Sequence, residues 1–343
     1  MKAVKVEPKN AEKAKFLLKE KNALVTGVPA FNENGFVFFP VTRKISLPFK
    51  SVFTQRKFKE VQRSGELKEL LSSVLSKTEL SDLVKSFDVI GSICIIEVHD
   101  SLLKKKKLIA KKILEANKHV KTVLMKKSAM LGEYRVRDLE WLAGEKTTLA
   151  LYKEAGAVMR VDLSKVYFSV RLAFERMRIA KKIRPGEKIL ALFAGVGPFP
   201  LVFFKKQKNV EIIAVELNPI AVSLMRENVV LNKAEHAIKV VQGDVNKIVP
   251  KLKNLADRIV MPLPHTGFDF LDSALIAAKK NCVIHFYCFN SIEENKKKPF
   301  NEALVFVRTA CKKRKRKYRV LNKRIVRPYS PKQSQVVIDF KVF

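Results

Sequence analysis

The stretch ILALFAGVGPFP, residues 189–200, decides the fold. Ile189–Phe193 is apolar and strand-like, Gly195-Val196-Gly197 breaks it at once, and a helical run follows. The run is too short to span a bilayer and is interrupted by glycines and by Pro198 and Pro200, so it is a buried strand entering a tight turn. Downstream the pattern alternates. Strand-like Val210–Val215, Ile238–Gln242, Asp257–Met261 and Cys282–Phe289 lead in turn into helical Pro219–Asn232, Val245–Lys253, Phe268–Lys280 and a helix to about Lys312. Such alternation implies an α/β fold, a parallel sheet with helices on both faces. Tyr318–Val326 and Gln335–Val342 then read as an antiparallel hairpin that closes one edge.

A Rossmann-like sheet with a closing antiparallel pair is a feature of the class I methyltransferases. Gly195 and Gly197 allow a ligand close to the backbone at a helix start, although any doubly wound fold can carry such a turn. Glu216 sharpens the reading, because it ends the second strand 19 residues after Gly197, where an acid accepts hydrogen bonds from ribose hydroxyls. A helix-capping acid is the plainer alternative. Pro200 stands where a nicotinamide enzyme wants a third glycine, which favours a cofactor without phosphate, S-adenosylmethionine. Asp244, ending the third strand, suits the adenine amino group or an N-cap.

Charge points to the partner. With 68 Lys+Arg against 33 Asp+Glu, the formal net charge is +35. A polyanion such as nucleic acid explains that excess, with a generally lysine-rich proteome as the alternative. No amphipathic anchor or signal-peptide pattern suggests a membrane. The four cysteines, Cys94, Cys282, Cys288 and Cys311, form no CxxC pair, so neither a metal site nor a disulfide framework is expected and the compartment is cytoplasmic.

Four regions are expected. Residues 1–46 form a small α+β unit, with a helix over Ala11–Lys21 and the strand GFVFFPV. Residues 47–66 read either as a linker or as a surface loop holding a strand. Residues 67–160 form a second α+β, RNA-binding domain: a helix from Leu67, a buried strand FDVIGSICIIEV (87–98), a lysine-faced helix (101–119), then strands and a hairpin near Gly156. Residues 161–343 form the catalytic domain.

Two stretches remain. VDLSKVYFSVRLAFERMRIAKKI, residues 161–183, puts Arg171, Glu175 and Arg178 on one helix face, which is also the spacing of a surface salt-bridge ladder. RIVMPLPH, residues 258–265, is a strand halted by Pro262 and Pro264. Together with GEYRVRDLEWLAGE, AVELNP, ENVVLN and SPKQSQVVIDFKV, they make the chain resemble the archaeal–eukaryotic tRNA guanine-1-methyltransferases, which methylate guanosine 37 beside the anticodon. The resemblance runs from about residue 67 to the end, and VYFSxRLAxER is its most specific string.

The resemblance implies Glu175 as general base for the guanine N1 proton and Arg135 as the cation beside the developing oxyanion, roles the chemistry itself requires. It places Phe193, Gly195, Gly197, Glu216, Asp244 and Arg176 at the cofactor. Tyr167 and Phe168 flank the target base, with core packing as the alternative. It also implies a monomer whose basic segments, including Lys312–Lys317, contact the anticodon stem-loop and the tRNA body. The chain departs from the family pattern twice. Ala191 replaces an acid in the glycine strand, and Pro262 replaces the asparagine of the usual Asn-Leu-Pro tip. Pro262 resembles an archaeal branch that also methylates carbon 7 of 4-demethylwyosine, so it joins the catalytic candidates. A one-step guanosine enzyme, a non-catalytic tRNA-binding protein on this fold, and a nicotinamide oxidoreductase are the rival readings.

Overall fold

The computed structural model describes the chain except residues 22, 26–27, 29, 59–70, 73, 84–86, 129–131, 133, 292–299 and 331. Two units emerge, Met1–Ser81 and Asp82–Phe343. In the first, strands β1 (Lys2–Val6), β2 (Phe31–Glu33), β3 (Phe36–Pro40) and β4 (Ser51–Gln55) form a sheet in the order β2-β3-β1-β4. Helix α1 (Ala11–Glu20) buries Ala14 and Leu18 against Val4, Val6 and Phe39. β4 pairs antiparallel with β1, so this part of the expected linker is a strand. The expected helix start at Leu67 lies outside the described residues. A short helix, α2 (Lys77–Ser81), ends the unit.

The second unit opens with β5 (Asp88–Ile90), β6 (Ile93–Ile96), β7 (Thr122–Lys126) and β8 (Leu139–Gly144), one sheet in chain order, backed by α3 (Lys106–Ala116). The single strand expected over 87–98 is instead a hairpin. Gly91, at φ 59°, makes its turn, and a Cβ there would lie 2.4 Å from the Leu151 carbonyl oxygen. The hairpin β9 (Leu149–Glu154) and β10 (Ala157–Asp162) turns through Ala155 and Gly156, both at positive φ, as a two-residue turn requires.

The central sheet has the order β13-β12-β11-β14-β15-β17-β16. Its parallel members are β11 (Glu187–Leu192), β12 (Val210–Glu216), β13 (Ile238–Gln242), β14 (Ala256–Met261) and β15 (Ala278–Ser291); β17 (Gln333–Val342) and β16 (Tyr318–Ser330) close it antiparallel. The period of two divides the core. Ile189 and Ala191 face one apolar layer, Leu190 and Leu192 the other. Helices α4 (Ala173–Ala180), α5 (Pro198–Lys206) and α6 (Pro219–Leu231) contribute to the first layer, α7 (Val245–Ile248), α8 (Leu271–Ala277) and α9 (Asn301–Lys313) to the second. The first layer runs unbroken from Ile90 and Leu124 through Met159 to Phe203 and Val337, so the chain has no structural break at residue 160. Two buried asparagines fasten the β9–β10 hairpin to this body: Asn228 on α6 pairs with the Arg160 backbone and Asn232, at the C-cap of that helix, with that of Val158. The strand order reverses between β11 and β14, and the loops leaving these two strands frame the crevice where such sheets bind ligands.

Candidate active site

The glycine turn is built by backbone conformation. Phe193 follows β11 at φ 54°, with Gly195 at 57° and Gly197 at 89° after it. Gly197 suits this left-handed backbone, and a Cβ there would press on Met225 Cγ at 3.0 Å, a contact that Met225 would have to yield to. Glu216 braces this turn from β12. Its Oε2 accepts from Gly195 N–H at 2.7 Å and its Oε1 from Leu217 and Asn218 N–H at 2.9 Å. It does not cap α6; that cap is Asn218, which also donates to the Lys165 carbonyl at 3.0 Å. Asn before a helix-opening proline was the available signal for this missed residue. Asp244 does cap α7, accepting from Asn246 N–H at 2.8 Å. Helix α5 opens Pro198-Phe199-Pro200, and Leu201 N–H is spent on the Gly197 carbonyl. Its first turn therefore keeps at most the Phe199 amide, and a phosphate finds no cluster of donors.

Glu175, on α4, is 1 % exposed. Its Oε2 accepts from Tyr287 O–H at 2.8 Å and from Arg178 Nε–H at 2.9 Å. Its Oε1 has no hydrogen bond among the described residues. Arg324 Nε of β16 lies 3.0 Å from that oxygen without making one, and its guanidinium stacks over Phe174 at 4.4 Å. A buried carboxylate with one oxygen bonded twice and the other held only by an ion pair to the partly exposed Arg324 is suited to accept a proton.

Behind Arg178 runs a buried polar chain. Arg178 Nη1 and Nη2 grip Asp339 at 2.5 and 3.2 Å, Asp339 accepts from His285 Nδ1 at 2.7 Å, and His285 Nε2 faces Arg258 Nη1 at 2.8 Å. Arg258 ends the chain on Glu187. Burial works against the Asp339 charge, but the bonds from His285 and Arg178 outweigh it and hold this carboxyl well below the usual range. Burial pushes the His285 pKa down, despite the bond to Asp339.

A cleft of about 250 Å³ brings Arg135, Tyr167 and Phe168 together with Arg137, Arg327 and Tyr329. Arg135 stands at φ 52°, and burial lowers its pKa from the ordinary arginine value. His265, just past the Pro262-Leu263-Pro264 tip, packs its ring 4.4 Å from Phe289 and 5.7 Å from Tyr329. Burial and then Arg135 lower the His265 pKa. Glu175 is not among the described cleft residues. β16 links the two places, with Arg324 over Glu175 and Arg327 and Tyr329 in the cleft wall.

Three expectations change. Arg176 is a buried strut rather than a cofactor contact: it is 1 % exposed, paired twice with Glu154 at 2.8 and 2.5 Å, and bonded to the Ser169 carbonyl at 3.2 Å. Arg171 precedes α4 and pairs with Asp88 at 2.9 Å, so no surface ladder forms with Glu175 and Arg178. In the basic run Lys312–Lys317, Arg314 is bonded to Asp272, Lys313 pairs with the same carboxylate at 3.7 Å, and Arg316 is bonded to the Phe343, Ala278 and Lys279 carbonyls, which leaves Lys312, Lys315 and Lys317 as exposed cations. Ala191 lies in the apolar layer with Tyr287, where an acid would be buried.

The glycine turn, the acid at the tip of β12, the reversal of strand order beside them and the antiparallel edge define a class I methyltransferase fold. Within that class the chain belongs to the TRM5/TYW2 methyltransferase family: the TRM5/TYW2 methyltransferase domain matches residues 150–321 and the TYW2 N-terminal domain residues 67–147. It is 36% identical over 341 residues to the tRNA (guanine(37)-N(1))-methyltransferase Trm5b of Pyrococcus abyssi, covering 99% of this chain and 98% of that one. The crystal structure of that Trm5b superposes with a TM-score of 0.73 at 35% identity, covering 100% and 99% of the two chains. The aTrm5 chain in complex with tRNALeu gives 0.70 at 31% identity, covering 99% of each. The Nanoarchaeum equitans tRNA (guanine(37)-N(1))/4-demethylwyosine(37)-methyltransferase Taw22 is 34% identical over 263 residues, covering 62% of this chain and 86% of that one. No described helix is long and apolar enough to cross a membrane.

Proposed function

We propose that the chain is an S-adenosylmethionine-dependent methyltransferase that forms 1-methylguanosine at position 37 of tRNA, acting as a cytoplasmic monomer. The observation that carries the reading is the divided carboxylate of Glu175, with Oε2 held and Oε1 lacking a hydrogen bond. The phosphate-poor glycine turn fits the cofactor. Phe193, Gly195, Gly197 and Glu216 would hold it, Glu216 by the lone pairs its backbone bonds leave, with Asp244 beside the adenine. When bound, S-adenosylmethionine supplies an electrophilic methyl group. The target guanine enters the cleft between Tyr167, Phe168 and Arg135, and its N1–H replaces Arg324 at Glu175 Oε1. Oε1 takes the proton, and the N1 electron pair forms the bond to the methyl carbon while the carbon–sulfur pair stays on sulfur. Arg135 stabilises the negative charge that reaches the guanine carbonyl oxygen.

Nucleoside mass spectrometry on an unmodified guanosine-37 tRNA tests the reading. Glu175→Gln is expected to slow single-turnover formation of 1-methylguanosine by about 10²-fold or more, and an unchanged rate refutes the base assignment. A second reading, methylation of carbon 7 of 4-demethylwyosine, is favoured by Pro262 at the strand tip, which offers no side-chain amide to a guanine edge. A tRNA carrying 4-demethylwyosine in the same assay decides it.

A further inference from the structure

Resting on the assignment of Glu175 as base, we propose that Asp339, acting through Arg178, is a positioning residue that leaves Glu175 Oε1 as the proton-accepting atom. Three charged or titratable groups face the Glu175 carboxylate: Arg178 from α4, Tyr287 from β15 and Arg324 from β16. Two of them saturate Oε2. Arg178 by itself could swing about its side-chain torsions and carry the carboxylate with it. Instead its Nη1 and Nη2 are gripped by both Asp339 oxygens, which fixes the guanidinium plane and aims its Nε edge at Oε2.

Asp339 is fixed in turn. His285 Nδ1 from β15, Lys182 Nζ at 3.3 Å and Asn322 Nδ2 at 3.4 Å all face it. The His285 tautomer follows from its other neighbour. Arg258 can only donate, so Nε2 accepts and Nδ1–H points at Asp339. Glu175, Asp339, His285 and Arg258 are all 4 % exposed or less. Buried ionic networks add little stability compared with apolar packing of the same volume. This one terminates on a carboxylate whose second oxygen is left without a hydrogen bond, which stability alone does not call for.

The test is the single-turnover methylation rate of guanosine-37 tRNA against pH. Asp339→Asn keeps an oxygen for His285 and removes the charge that pairs with Arg178. The expected result is a rate about 10- to 100-fold lower, with tRNA and cofactor dissociation constants within about twofold of the parent. The acid limb of the profile should move to higher pH, because Arg178 no longer donates to Oε2. Were Arg178 to stay in place, deleting the neighbouring negative charge would move that limb to lower pH. A limb that moves down or stays, or a parental rate, overturns the proposal. If Asp339→Asn shows no cooperative thermal transition, Arg178→Lys decides. A lysine is a point charge without the guanidinium fork, so it cannot hold both Asp339 oxygens while aiming a fixed N–H at Glu175 Oε2; the same slowing and upward shift are expected, and a parental profile overturns the proposal. Glu175→Gln in the same assay separates the two ideas. A parental rate there removes the base itself, whereas a slow Glu175→Gln beside a parental Asp339→Asn removes only the positioning role.

Discussion

Replacing Arg176 with methionine, alone and together with Glu154→Gln, separates a buried strut from a cofactor contact. The guanidinium is 1 % exposed and Glu154 is 9 % exposed, with paired bonds at 2.8 and 2.5 Å. Methionine keeps most of the volume between Phe168 and Phe199, whose rings lie 5.7 and 6.0 Å from the guanidinium carbon. The single variant, however, strands the Glu154 carboxylate, a loss of about 3–5 kcal/mol when one partner of a buried pair is removed. At roughly 2–4 °C per kcal/mol for a domain of this size, Tm falls by about 6–20 °C. The double variant removes the orphaned charge, while Tyr152 O–H, 3.1 Å from Glu154, keeps an acceptor in the glutamine. It should regain about 2 kcal/mol or more. Urea unfolding and calorimetry measure the stability, and cofactor KM is read on the same samples. A strut predicts that KM recovers along with stability, whereas a cofactor contact predicts a raised KM in a restabilised protein. A loss below about 1 kcal/mol in the single variant, or a double variant no more stable than the single, refutes the reasoning.

Glu216→Ala releases the Gly195, Leu217 and Asn218 amides together, so cofactor KM should rise with kcat little changed; an unaltered KM removes Glu216 from the pocket. Burial and then Glu154 push the Tyr152 hydroxyl up to about 12. Its folded pKa lies above the ordinary value near 10, so its contribution to stability is complete below pH 10 and is lost between about pH 10 and 12. Glu154→Gln should flatten that alkaline limb in urea titrations. Burial pushes the Cys94 and Cys288 thiols to about 12 and Cys311 to about 11, so a thiol reagent at pH 8 should react with all four cysteines only after unfolding. With a formal charge of +35, tRNA affinity should fall steeply and log-linearly with salt, and a flat dependence would disconnect the charge from tRNA binding.

What the sequence showed depended on the range of the interaction. The five parallel strands and the closing pair were legible because each carries its own apolar run and its own punctuation. The Gly91-Ser92 turn was not, since the apolar run on either side of it, Val89-Ile90 and Ile93-Cys94, reads as one continuous buried strand. Ser51–Gln55 could not be told from a loop, because its neighbour in the sheet lies at the N-terminus. In the site, Gly195, Gly197 and Glu216 announced themselves by spacing. Arg176 misled because a buried and a ligand-facing arginine look alike in sequence. Asp339 was invisible, since its partner Arg178 lies 161 residues away. Asn228 and Asn232 stood in the ENVVLN string, but the backbone they recognise, at Arg160 and Val158, leaves no mark in the sequence.

The two prolines that open α5 bear on selectivity. Many molecules present an adenosine, and most of those that charge-bearing pockets retain do so through phosphates. A helix start lacking two of its amide donors withholds the interaction such competitors depend on, while costing nothing to a ligand that carries a sulfonium and an amino acid tail. On the proposed reading the pocket would discriminate by omission, and the omission is written into two residues that have no side-chain chemistry of their own.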